Sequence, residues 1–178
     1  MASLALVTTV CPDRVGLISG ITGQLFGLGI NLRDATFAVM GTGAEFSAVC
    51  ELPPTLSVEE VRTGLAAVPE LEGARIEVTP FRFDPNPGPA ARITHRVLVS
   101  GGDQPGLIAR LSEIFTQFQA NIVRMDAQTT PGHGEGRAGG LYTVRFSVSI
   151  PAERTEVCLS AVANTAEALG LACALEGV

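Results

Sequence analysis

The sequence predicts an α+β fold in which one βαββαβ unit occurs twice, and three observations predict it. The 178-residue chain repeats itself at a constant offset of 90 residues. Asp13-Arg-Val-Gly-Leu-Ile18 returns as Asp103-Gln-Pro-Gly-Leu-Ile108, Val7 as Val97 and Asn31 as Asn121, which makes six identities over positions 5–34 without a gap. Segments of period-2 alternation and segments of helical spacing follow one another in the same order in both halves. Between the halves, Asp84-Pro-Asn-Pro-Gly-Pro-Ala-Ala-Arg92 carries prolines at alternate positions, the composition of an extended, semi-rigid linker. The expected division is a first domain over 1–83, a linker over 84–92 and a second domain over 93–178.

In the first copy, residues 4–10 read as a buried strand. After Pro12-Asp13, Ile18, Ile21, Leu25 and Leu28 fall at helical spacing, and Gly29 ends the helix. Asn31–Met40 is β-like, Gly41-Thr-Gly43 turns the chain, and Phe46, Ala48, Cys50 and Leu52 alternate on the return strand. Ser57-Val-Glu-Glu60 has the form of a capping box and opens a second helix presenting Val61, Leu65 and Val68. Ile76 and Val78 belong to a last strand that stops near Pro80.

The second copy follows suit. Thr94–Ser100 is a strand, Leu107, Leu111, Ile114, Phe115 and Phe118 line a helix, and Asn121–Thr130 and Leu141–Ile150 form a hairpin. Pro151 precedes a helix that runs to about Gly170, and Leu171–Glu176 closes the unit. Right-handed crossovers in a βαββαβ unit put both helices on one face of a four-stranded antiparallel sheet, the ferredoxin-like arrangement.

Composition narrows the function. Hydrophobic residues make up 46% and charged residues 17%, the balance of a core-forming chain. Lysine is absent, and 12 arginines against 18 acids give a net charge of -6, a poor basis for contacting a phosphate backbone. Direct nucleic-acid binding is therefore not expected, and an RNA-binding sheet lacks its stacking aromatics, with no Trp and one Tyr. No apolar run reaches membrane-spanning length, and Met1-Ala-Ser-Leu-Ala lacks the basic start of a signal peptide, so a cytoplasmic protein is expected. Cys11, Cys50, Cys158 and Cys173 have no metal-ligand spacing and read as reduced, buried hydrophobes.

The repeated Asp-x-x-Gly-Leu-Ile stands at the turn from first strand to first helix. A helix start leaves N–H groups unpaired and favours an anion, glycine lets a small ligand come close, and an aspartate can meet an ammonium. Asn31 and Asn121 lie at the far end of the helix from their own loop, where each can face the loop of a neighbouring domain. Together these groups make a receptor for a free α-amino acid. The same residues also admit a purely structural use, with Asp capping the helix, Gly making the turn and Asn taking a left-handed backbone.

On these motifs the chain resembles a pair of ACT domains, and as a stand-alone tandem it is similar to the glycine cleavage system transcriptional repressor group. The resemblance implies a non-catalytic regulatory protein that binds a small amino-acid effector where ACT domains meet. The residues it implies are Asp13, Arg14, Gly16, Leu17, Ile18, Asn31 and Leu32 of the first copy, and Asp103, Gly106, Leu107, Ile108, Asn121 and Ile122 of the second. Assembly as a homo-oligomer, with a dimer as the simplest form, and contact with a transcription regulator or metabolic enzyme follow by the same analogy. The usual loop proline is present at Pro105 but replaced by Val15, and Gln104 stands where the first copy has Arg14, so one competent site is expected rather than two.

Other patterns give different expectations. Gly20, Gly23 and Gly27 mark one face of the first helix as an assembly surface, since each costs roughly 1 kcal/mol against alanine and the second copy has Arg110, Glu113 and Gln117 instead. Gly134-Glu-Gly-Arg-Ala-Gly139 imitates a dinucleotide motif, but a strand rather than a helix follows it, so Pro131–Gly140 reads as a long hairpin loop. His133 in that loop has no second metal ligand at useful spacing. Arg14 and Asn31 imitate an acylphosphatase pair without that enzyme's glycine-rich phosphate loop. No catalytic residue, cofactor or metal site is expected; the remaining alternative is a protein-interaction module that binds no metabolite.

Overall fold

The structure is a computed structural model that describes residues 3–86, 88–130 and 140–178. It comprises two compact units, Met1–Pro85 and Asn86–Val178, each with its own core. Pro131 to residue 139, with His133 and the Gly134–Gly139 motif, lies outside the described residues.

In the first unit the order is β1 (Ser3–Pro12), α1 (Leu17–Gly27), β2 (Asn31–Met40), β3 (Gly43–Leu52), α2 (Val58–Ala66) and β4 (Arg75–Pro80), with a 3-10 turn at Pro69–Leu71. The strands form one antiparallel sheet in the order β2-β3-β1-β4. Alternation does the sorting. Ala5, Val7, Thr9 and Cys11 of β1 and Ala44, Phe46, Ala48, Cys50 and Leu52 of β3 are buried, while their sequence neighbours lie on the other face. Leu17, Ile21 and Leu25 of α1 and Val61 and Leu65 of α2 cover the buried face. The Ser57 hydroxyl accepts from the Glu60 amide at 3.3 Å and the Glu60 carboxylate accepts from the Ser57 amide at 2.8 Å, so the expected capping box forms.

The second unit repeats this order as β5 (His95–Gly101), α3 (Leu107–Gln117), β6 (Asn121–Thr130), β7 (Leu141–Ser149), α4 (Thr155–Ala168) and β8 (Ala172–Gly177). Its sheet order is β6-β7-β5-β8, also antiparallel. Val97, Val99, Val144, Phe146 and Val148 form the buried face beneath Leu107, Leu111, Phe115, Cys158 and Val162, and the Phe115 and Phe146 rings lie 5.4 Å apart. Each unit is thus the expected ferredoxin-like α+β fold.

Three details differ from the sequence reading. The buried stripe of α1 begins at Leu17, 2% exposed, whereas Ile18 is 38% exposed. Val68 lies past the end of α2, yet is buried where the 3-10 turn begins. Part of the proline-rich stretch is not extended: Pro89–Ala91 forms a 3-10 turn that belongs to the second unit.

All four cysteines are free, and burial raises each thiol above its usual pKa, that of Cys50 to about 11. They stay protonated and pack as small hydrophobes.

Helices α1 and α3 end alike. Ile30 donates to the Leu25 carbonyl at 3.0 Å and Gly29 to that of Phe26 at 2.9 Å; Ala120 donates to Phe115 at 2.8 Å and Gln119 to Thr116 at 3.0 Å. This double closure requires a left-handed residue. Gly29 supplies it at φ 72°, while Gln119 is held there at φ 56°, the one non-glycine residue with positive φ among those described.

Two substitutions that borrow from the other copy test these points. Gln119→Gly relieves the left-handed strain and should stabilise the protein by about 1 kcal/mol. Thr9 is buried with its hydroxyl unpartnered, and the equivalent residue of the second copy is the buried Val99. Thr9→Val should add about 1 kcal/mol by removing that unsatisfied group. Urea unfolding followed by circular dichroism measures both, and a lower midpoint for either variant contradicts the corresponding account.

Candidate functional site

The candidate site residues lie at the two ends of α1 and of α3. At the front end, β1 stops at Pro12 and α1 starts at Leu17, so four residues turn the chain from strand to helix. Gly16 makes this possible with φ 95°, and Gly106 does the same before α3 with φ 81°. Side chains adopt that region only at a cost, so the glycines serve the turn itself. Neither helix has a side-chain cap, and the carboxylates of Asp13 and Asp103 are exposed without a partner among the described residues. The aspartates therefore do not cap the helices, and each loop presents an exposed carboxylate next to a helix start that has no side-chain cap, the first amide of α3 donating to the Gln104 carbonyl at 3.2 Å.

The neighbouring residue in each loop has a structural task. Arg14 Nη2 donates to the Glu72 carbonyl at 3.2 Å, just past the 3-10 turn that follows α2. Gln104 Nε2 donates to the Leu169 carbonyl at 2.7 Å, at the end of α4. Positions 14 and 104 thus make the same brace from different side chains, tying the strand-to-helix loop to the end of the other helix. Leu17 and Leu107 are buried and can offer a ligand only their backbone; Ile18 and Ile108 are more exposed.

At the far end of the helices, Asn31 and Asn121 start β2 and β6. Both are exposed strand residues rather than left-handed ones. Each is followed by a register shift, between Leu32 and Asp34 and between Ile122 and Arg124, a bulge the sequence reading did not anticipate. Asn121 Nδ2 donates to the Ala90 carbonyl at 2.8 Å, whereas the Asn31 amide has no partner among the described residues. Asn31 and Leu32 also line an open groove of about 490 Å³ with Ser19, Thr22, Gly23 and Phe26 of α1. Within a unit, loop and asparagine are not brought together: eleven helical residues separate them, about 16 Å of rise.

The two helix starts differ in a way the motif does not reveal. Glu70 lies along the first turn of α1, where a Cβ placed on Gly16 would be 3.7 Å from its Oε1 and one on Gly20 2.9 Å from its Oε2. The same Gly20 Cβ would be 3.0 Å from Val68 Cγ1, so this glycine serves close packing inside the unit. Gly23 and Gly27 face open space, as does Gly106 of the second copy. The first helix start therefore has the Glu70 carboxylate beside its glycine, whereas among the described residues nothing comes within 4 Å of a Cβ placed on Gly106. The spacing of Gly16 and Gly20, one turn apart, was the signal for that close approach. Among the described residues no cluster of three or more His, Cys, Asp or Glu is placed to hold a metal ion, and no helix is long and apolar enough to cross a membrane.

Comparison with known proteins fits this geometry. The ACT domain family model matches residues 95–153, within the second unit. Over 170 residues the chain is 26% identical to the glycine cleavage system transcriptional repressor of Escherichia coli (strain K12), covering 93% of this chain and 86% of the relative, and the Shigella flexneri protein of that name matches equally. An unknown protein from Galdieria sulphuraria has the same fold over 100% of this chain and 99% of its own, with TM-score 0.76 and 19% identity. A crystal structure of a candidate glycine cleavage system transcriptional repressor superposes with TM-score 0.69 and 18% identity over 100% of this chain and 98% of its own. The second unit thus matches the ACT domain family over residues 95–153, the first unit repeats its fold, and the chain as a whole resembles the glycine cleavage system transcriptional repressor group.

The matched braces carry a stability prediction. Gln104→Ala should cost about 1 kcal/mol, the usual net worth of a partly buried hydrogen bond, and Gln104→Arg should recover most of it. Arg14→Ala should cost less, because its bond is exposed. Urea midpoints decide; an Arg at 104 no better than Ala would refute the equivalence of the two braces.

Proposed function

We propose that this chain is a non-catalytic regulatory protein that binds a small amino acid at an ACT-domain interface and passes the signal by contact with another protein. The observation that carries this reading is the doubly occurring loop, in which an unpaired aspartate and a left-handed glycine adjoin an uncapped helix start. The helix N–H groups suit the effector's carboxylate and the aspartate suits its ammonium. The name of the bacterial relatives, glycine cleavage system transcriptional repressor, supports regulation of the glycine cleavage pathway. In this reading the protein acts in the cytoplasm as a homo-oligomer. Its protein partner in this reading is a transcription regulator or a metabolic enzyme. An effector shared between domains binds one arrangement better than another and so shifts the assembly equilibrium.

The same geometry argues for one competent loop and one competent asparagine. Glu70 already supplies an anion beside the first helix start, and the space at Gly106 is open, so the loop Asp103–Ile108 is the one assigned to the effector. Asn121 is held by Ala90, so Asn31 is the asparagine free to meet a ligand. An acylphosphatase-like reading is disfavoured because the arginine it needs is engaged with the Glu72 carbonyl.

Thermal unfolding against the twenty amino acids at millimolar concentration tests this. A ligand at about 100 times its Kd stabilises the native state by roughly 2.7 kcal/mol, a readily measured shift. One or two amino acids should raise Tm, with the shift lost in Asp103→Ala and Asn31→Ala and kept in Asp13→Ala and Asn121→Ala. No shift with any amino acid would overturn the receptor and leave a module that works through protein contacts alone.

A further inference from the structure

The second unit holds a cavity that none of these residues line. It measures about 380 Å³ and lies on the face of the sheet turned away from α3 and α4. Strand register lays out its lining. Arg96 of β5 stands opposite Ser147 of β7 and Glu176 of β8; Arg145 of β7 stands opposite Leu98 of β5 and Asp126 of β6. The two arginines therefore occupy the two central strands one diagonal step apart, about 7–8 Å between Cα atoms. A carboxylate flanks each of them, and Leu98 and Ser147 lie between.

The charges are weakly paired. Arg96 Nη1 is 4.0 Å from Glu176 Oε2, at the outer limit of an ion pair, with the two side chains 54% and 70% exposed. Arg145 has no ion pair among the described residues. Two guanidiniums side by side repel one another, and exposed pairs of this kind add little to stability.

The first unit shows that the fold does not demand them. By strand register, the positions of Arg96, Leu98, Arg145 and Ser147 correspond to Leu6, Thr8, Ser47 and Val49, and those of Asp126 and Glu176 to Thr36 and Thr79. None is charged, and Thr8 Oγ1 and Ser47 Oγ share a hydrogen bond of 3.2 Å. The same sheet is built without an arginine pair in one copy and with one in the other.

We propose that this cavity binds a small zwitterion, its carboxylate bridging Arg96 and Arg145 and its ammonium meeting Asp126 or Glu176. A bridging carboxylate answers the repulsion between the guanidiniums, and the flanking acids disfavour a ligand carrying negative charge alone. The volume falls in the range of small-molecule sites. This site is separate from the effector loop, and the test below distinguishes the two.

The experiment is a titration of the full chain, labelled with nitrogen-15, with 4-aminobutyrate at millimolar concentrations, alongside succinate, butylamine and sodium chloride at equal ionic strength. Saturable amide shifts should appear at 96–98, 145–147 and 174–176, and should be larger with 4-aminobutyrate than with the others. Arg145→Gln and Arg96→Gln, both on an exposed face that leaves the fold intact, should each weaken binding about tenfold, as loss of one charge-assisted contact implies. Asp103→Ala should bind as the parent does, so failure of the effector loop would leave this result untouched. Absence of saturable shifts, equal shifts with sodium chloride, or undiminished binding by the arginine variants would overturn the proposal.

Discussion

The left-handed turn at Gly16 and Gly106 is the constraint on which the rest of each unit depends. Four residues in the first unit and five in the second reverse the chain between strand and helix, and positive φ at the last of them decides which side chain enters the core first. That residue is Leu17 or Leu107, both nearly inaccessible, and Ile21 and Leu25 or Leu111 and Phe115 follow one turn apart. A second left-handed residue at 29 or 119 closes the helix after eleven residues. With both ends fixed, the next strand must begin at Asn31 or Asn121. The positions of the loop aspartate and the strand asparagine are thus consequences of helix length rather than independent features.

Much of this was legible in the sequence, for a physical reason. One-sided burial imposes period 2 on the strands, so Phe46, Ala48, Cys50 and Leu52 announce their face, and a capping box is local enough to read from Ser57 and Glu60. The phase of the first helix was not legible, because Leu17 and Ile18 are both apolar and periodicity alone leaves the choice open by one residue. The turn geometry settles it. In the candidate site, the loop and its repeat were visible, but the tasks of several members were not. Arg14 and Asn121 look like ligand residues in a motif, yet their acceptors are 58 and 31 residues away, at carbonyls with no side-chain signature. Glu70 was invisible for the same reason, although the glycines it packs against hinted at a close neighbour.

Two copies of one unit act as controls for each other. Where they differ, the fold has accepted either solution: Thr9 or Val99 in the core, Gly29 or Gln119 at a helix end, Arg14 or Gln104 as a brace. These are differences of about a kcal/mol in how one structural task is met. The sheet faces differ in kind. Thr8 and Ser47 satisfy one another in the first copy, while Leu98 and Arg145 at the same places leave a guanidinium without an ion pair among the described residues.

That contrast separates groups that hold the fold from groups that can be spent on binding. A buried hydroxyl without a partner, such as that of Thr9, costs stability because water cannot reach it. An exposed carboxylate or guanidinium without a partner costs almost nothing, because water solvates it fully. Asp103 and Arg145 belong to the second kind, the exposed amide of Asn31 behaves alike, and Arg96 is held only by a 4.0 Å contact to Glu176, so their identities are not dictated by packing. A ligand must displace that water, and it gains only where two such groups act on it together. Isolated free charges on this surface therefore carry no binding argument, whereas paired ones do: an aspartate next to a helix start that has no side-chain cap, and two arginines one diagonal step apart on neighbouring strands.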